Sequence, residues 1–207
     1  MFARAKWGRL SPDRIDDLAV ALRPSIDALS QLEGYQGVAL LANRESGEVE
    51  VVTYWDTAET MAASEETASA ARSSVLAAAP GLQVKEVDRM EFVIRERLAP
   101  PRSGTFLRVT DLNAAVDKVD DTVAFVRDQV VPVLKGQPGL QSILMLANRA
   151  TGRMIAASIW NSAAERDASG PSVDALREQA GNVARAENTS VRTYESILVE
   201  IKLPTPA

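Results

Sequence analysis

The chain has 207 residues, 46% apolar and 25% charged, with a formal net charge of -5, a globular profile with no basic footprint for a nucleic-acid backbone or an anionic membrane. His and Cys are absent, which excludes thiolate catalysis, His-based triads, disulfides and the usual transition-metal ligands. No stretch reaches the ~18 apolar residues of a membrane span, and the charged start from Met1 to Trp7 lacks the apolar run of a signal peptide, so a cytoplasmic protein is expected.

In chain order, residues 2–7 alternate as a short strand, and Ser11-Pro12-Asp13 supplies an N-cap with Pro in the first turn. A helix to about Ser30 follows, with Ile15, Leu18, Ala19, Leu22, Ile26 and Leu29 at helical spacing. Residues 35–43 and 48–55 are β-rich runs around Arg44-Glu45-Ser46-Gly47, which predicts a hairpin. Asp56-Thr57-Ala58-Glu59 reads as a capping box for an alanine-rich helix that Pro80-Gly81 ends, and Leu82 to Arg97 reads as a closing strand.

The same series then begins again. Residues 34–47 and 139–152 share G-x-Q-x-x-x-x-L-A-N-R-x-[ST]-G at an offset of 105, which also carries Trp55 onto Trp160. An offset of 104 carries Phe2-x-Arg4 and Asp16-Asp17 onto Phe106-x-Arg108 and Asp120-Asp121. Self-similarity at a fixed period is the signature of an internal repeat. The expected division is a first half over 1–98, a linker over 99–103 and a second half over 104–207. Each half reads βαββαβ, a ferredoxin-like α+β unit. Strands apolar on both faces, such as Val38 to Ala42 and Ile143 to Ala147, need a second cover. The expected fold is therefore two such repeats packed as an intrachain dimeric α+β barrel: a monomer with an internal pseudo-dimer, or a homodimer of it.

Gly-[Tyr/Leu]-Gln, an apolar strand, Asn-Arg-x-[Ser/Thr]-Gly and a strand ending in Trp-[Asp/Asn]-[Ser/Thr] resemble the antibiotic biosynthesis monooxygenase-like domain of the dimeric α+β barrel superfamily, in both halves. The resemblance implies cofactor-free oxygenation of quinols or polyketide-like aromatics, haem degradation, small isomerisations, or no catalysis. The haem-degrading branch places a second Trp and a haem-ligating His where this chain has Ser64 and Ser74, then Ser169 and Gln179, which argues against haem breakdown.

Candidate ligand-pocket residues are Arg4, Tyr54, Trp55, Arg108 and Trp160. A strand-end Trp can stack on a flat substrate or simply plug the corner between sheet and helix. Arg4 and Arg108 can hold a carboxylate or enolate oxygen, or pair with a neighbouring strand, Arg4 for example with Glu50 or Glu91. Tyr54 can relay a proton, but its counterpart is Ile159, as Glu50 meets Ile155, which favours a pocket in the first half. Asn43-Arg44 and Asn148-Arg149 read as turn residues. The reading is a small-molecule pocket protein with no metal or cofactor, resembling cofactor-independent monooxygenases; the alternative is a non-catalytic ligand-binding or scaffold protein.

Overall fold

The computed structural model describes residues 1–186 and 188–202, without the side chains of 85–87; the last five residues of the expected second half lie outside the described residues. The chain is α+β. In the first half, β1 (Phe2–Arg9) leads through a short 3-10 turn to α1 (Ile15–Ala21) and α2 (Arg23–Ser30), then to β2 (Tyr35–Ala42), β3 (Glu48–Trp55), α3 (Ala58–Ala63), α4 (Glu65–Ala78) and β4 (Gln83–Arg97). The second half follows the same order: β5 (Phe106–Asn113), α5 (Val119–Phe125), α6 (Val131–Lys135), β6 (Leu140–Asn148), β7 (Arg153–Trp160), α7 (Ala163–Ala168), α8 (Gly170–Ala184) and β8 (Thr189–Ile201). All pairings with a described register are antiparallel, and the hydrogen-bonded order β1-β3-β2-β8-β5-β7-β6-β4 closes as an eight-stranded barrel within one chain.

Closure rests on β4 and β8. The C-terminal part of β4, from Glu91, pairs with β6, and the C-terminal part of β8, from Glu195, pairs with β2. The two compact units consequently cut across the repeats: one comprises Met1–Arg89, Pro101–Gly104 and Glu195–Ala207, the other Met90–Pro100 and Thr105–Tyr194.

Several local expectations change on folding. The first helix breaks at Leu22, and Ser11 bonds Asp13 rather than capping a helix N–H. The capping box sits one residue later than Asp56-x-x-Glu59. Thr57 is the N-cap and Thr60 its reciprocal partner, because it is Thr57 that has the extended backbone a cap needs. In the second half Ser162 is the N-cap, accepting from the Glu165 amide at 3.2 Å.

The second half also holds a π turn, Val126–Val130, between α5 and α6. The repeat offset is 104 before this turn and 105 after it. The extra residue is therefore absorbed as one wide helical turn, the usual way a helix accommodates a single insertion.

The Asn-Arg motif is a hairpin latch. Asn43 Oδ1 accepts from the amides of Glu45 (3.0 Å) and Ser46 (2.9 Å), and Asn148 Oδ1 from those of Ala150 and Thr151. Arg44 bridges Asp16 (2.9 Å) to Glu195 (3.0 Å), while Arg149 bridges Asp120 to Glu91, so each hairpin is tied to the first helix of its half and to the long strand beside it.

Gly34 and Gly139, which open the shared motif, have φ of +74° and +78°. A Cβ there would lie 2.4 Å from Thr60 Oγ1 and 2.2 Å from Glu165 Cδ, against the capped start of the next helix. Gly34→Ala and Gly139→Ala should each lower stability by about 1–3 kcal/mol, read by urea unfolding. Unchanged midpoints would contradict this account of the motif.

Candidate functional site

Alternation along a strand sets what faces the helices. On β1 those positions are Phe2, Arg4, Lys6 and Gly8; on β3 they are Val49, Val51, Thr53 and Trp55, the last in one core cluster with Val38, Leu40 and the helical Leu18, Ile26 and Met61. Between this face and α1, α2 and α4 lies a cavity of about 60 Å³, lined mainly by Leu, Val and Ile, with Lys6, Arg72, Thr53 and Ser25 as its polar groups. The second unit has its counterpart, about 80 Å³, bounded by Val126, Val130, Ile143, Met145, Thr110, Arg108 and Arg177.

Trp55 and Trp160 are both 0% exposed and line neither cavity. Each indole N–H donates to a hydroxyl two residues back on its own strand, Thr53 at 3.1 Å and Ser158 at 3.0 Å. Tyr35 packs edge-on against Trp55, with ring centroids 5.5 Å apart. Both indoles fill the corner between sheet and helix.

Arg4 is 1% exposed. It pairs with neither Glu50 nor Glu91 but with Glu65 at 3.2 Å, and its guanidinium donates to Ser64 Oγ (3.0 Å) and to the Met61 carbonyl while lying 5.7 Å from the Trp55 ring centroid. The reason is directional: Arg4 faces the helices, and the α3–α4 junction offers it a carbonyl, a hydroxyl and a carboxylate together. Arg108 repeats the clamp on Ser169 Oγ (2.7 Å) and the Arg166 carbonyl, and it also borders the second cavity. Ser64 and Ser169, where the haem-degrading pattern has a second Trp, are thus occupied as acceptors. Burial lowers the pKa of both arginines. Tyr54 is buried on the opposite face of β3 from Thr53 and lies outside the cavity lining.

The groups missing from the sequence reading are Lys6 and Arg72. Lys6 lies two residues beyond Arg4 on the same strand face, and among the described residues its Nζ reaches only the Ala68 carbonyl, at 3.5 Å. Burial, then the nearby positive charges of Arg72 and Arg4, lowers its pKa to about 8. Arg72 donates to Ser69 Oγ at 3.2 Å. Among the described residues neither cation is paired with a carboxylate. Two signals could have found them: the i, i+2 step from Arg4, and the change from Lys6 to Thr110 between the halves. Among the described residues no three His, Cys, Asp or Glu side chains converge on a metal position, and no helix is long and apolar enough to cross a membrane.

Two outcomes follow. Trp55→Ala and Trp160→Ala should each cost about 3–5 kcal/mol in chemical denaturation, as expected for emptying a fully buried indole site; a loss confined to one variant would contradict the equivalent packing. Lys6 titrates near 8 in the fold and near 10.5 unfolded. Between those values the unfolded chain binds the proton and the fold does not, so stability contributed through Lys6 rises with pH across that window and is lowest below it. Lys6→Met should abolish this rise and be relatively most stabilising near pH 7, measured as the difference between wild-type and variant denaturation curves from pH 7 to 10.5. A difference that does not vary with pH would refute the assigned environment.

No family model matches the chain. Two uncharacterised proteins of Mycobacterium tuberculosis H37Rv are 26% and 28% identical to it, covering 99% of this chain and 91% and 86% of their own lengths. Among solved structures, an anthrone oxidase-like protein covers 100% of this chain and 96% of its own, with a TM-score of 0.71 and 15% identity. A monooxygenase-like protein of Listeria innocua covers 94% of both chains at a TM-score of 0.56 and 9% identity. A heme-degrading enzyme of Listeria monocytogenes covers 93% of this chain and 98% of its own at 0.52 and 10%. At such identities the likeness is one of fold, and the fold is the dimeric α+β barrel shared with monooxygenase-like proteins, here completed by a single chain.

Proposed function

We propose that the chain is a small-molecule pocket protein acting in the manner of a cofactor-independent monooxygenase on a quinol or a polyketide-like aromatic, with its working cavity in the first half. The observation that carries this reading is Lys6, a cation without a carboxylate partner among the described residues, set in an apolar cavity beside Arg72. An amine whose pKa is about 8 is neutral in roughly half the molecules at pH 8, so it can accept the proton of a phenolic hydroxyl. The ammonium so formed and Arg72 then hold the oxyanion. Dioxygen is the oxidant, taking electrons directly from the electron-rich anion; for an anthrone methylene, CH₂ and O₂ become C=O and H₂O. The anthrone oxidase-like and monooxygenase-like neighbours support this reading at the level of fold. The earlier pocket candidates take supporting roles in it: Trp55 and Arg4 fix the wall, and Trp160 and Arg108 do the same in the second half.

The small volume of about 60 Å³ favours a second reading, carriage of a small ligand without turnover, since sites for drug-sized molecules run to several hundred Å³. An oxygen electrode separates the two. With methylhydroquinone or anthrone, the enzyme reading expects O₂ uptake above the buffer rate that falls at least tenfold in Lys6→Met. Binding by calorimetry with no excess O₂ uptake would leave the carrier, and neither binding nor uptake would overturn both.

A further inference from the structure

The two cavities occupy equivalent places, yet their charged groups differ at two aligned positions. Lys6 of the first corresponds to Thr110 of the second. Arg72 corresponds to Arg177, but the residue one helical turn before each has changed: Arg72 bonds Ser69 Oγ at 3.2 Å, whereas Arg177 is paired with Asp174 at 2.7 Å. The first cavity therefore keeps two cations facing an apolar space with no carboxylate on either, while the second has lost one and neutralised the other. Arg108 does not restore the difference, because its terminal nitrogens are taken by Ser169 and Arg166, just as Arg4 is taken by Ser64, Met61 and Glu65. Glu65, the acidic group at this end of the first half, is shared between Arg4 and Arg89 at 3.2 and 2.7 Å. The second cavity is bordered by the π turn, whose Val126 and Val130 line it. Such turns recur at functional positions in helices.

We propose that the halves have diverged in ligand charge: the first cavity selects a small aromatic anion, a carboxylate or phenolate held by Lys6 and Arg72, and the second an uncharged apolar molecule of similar size. Two like charges held side by side, one of them largely desolvated, are unfavourable, and an anionic ligand offsets that cost in the first cavity. In the second, Arg177 is paired with Asp174 and the terminal nitrogens of Arg108 are spent on Ser169 and the Arg166 carbonyl, so an anion would be desolvated with fewer donors to receive it. The inference rests on the cavities being ligand sites, as proposed above, but not on turnover.

The test uses the full chain with benzoate and benzamide, which match in shape and differ in charge. Calorimetry at pH 7 should give one benzoate per chain, and methyl chemical shifts should place it at Val38, Val49 and Val75; benzamide should shift Ile143, Met145 and Val126. Ser69→Asp, which gives Arg72 the partner that Arg177 has, should weaken benzoate at least tenfold and leave benzamide unchanged. Thr110→Lys combined with Asp174→Ser should raise benzoate stoichiometry from one to two. Circular dichroism melts identify any variant that fails to fold, and the wild-type distribution of the two probes stands without variants. Equal occupancy of both cavities by both probes would overturn the divergence while sparing the pocket reading. Binding of neither probe would overturn both.

Discussion

A β-sheet edge is a row of unpaired amides and carbonyls, and everything distinctive about this chain follows from how its edges are satisfied. Each half would have two such edges if its last strand were as short as the others. Instead β4 has 15 residues and β8 has 13, against eight for β1. At ~3.3 Å per residue that is length enough to pair with one neighbour over the first part and another over the second. Met90 and Tyr194, both 2% exposed, sit where the pairing changes hands. The Arg44 and Arg149 latches hold the hairpins to these same strands, through Glu195 and Glu91. The motif shared by the halves thereby serves closure rather than chemistry.

With the edges closed, a space remains in each unit between the sheet and its helices. The clamp of Arg4 or Arg108 on the helix junction fixes one end of that space, and the buried indole fills the corner. Both side chains thus take part in the frame, and Arg108 also borders the second cavity. A buried guanidinium needs acceptors, and the chain answers the terminal nitrogens of Arg4 and Arg108 with its own Ser64, Ser169 and backbone carbonyls. Lys6 and Arg72 lie just beyond the frame, where among the described residues no carboxylate pairs directly with either, Glu65 being held by Arg4 and Arg89. Lys6 in place of Thr110, and Arg72 without the aspartate that pairs with Arg177, make the first cavity chemically different from the second.

Much of this was legible in the sequence. Internal similarity, strand alternation and helical spacing determine the α+β class, the βαββαβ order and the burial of Ile15, Leu18, Ile26 and Leu29, because these depend on periodicities of 2 and 3.6 that local sequence carries. The shift of offset from 104 to 105 even holds the π turn, as an inserted residue. Partners of long side chains were not legible. Glu65 and Ser64 are about sixty positions from Arg4, and only the packing of α3 and α4 on the sheet brings them to it, in place of Glu50 or Glu91. Nor could single residues show that Lys6 lies in a cavity and Trp55 does not, since both face the helices. That outcome is set by which volumes the surrounding side chains fill. Periodicity belongs to neighbours along the chain, whereas void space and unanswered charge belong to the packed structure alone.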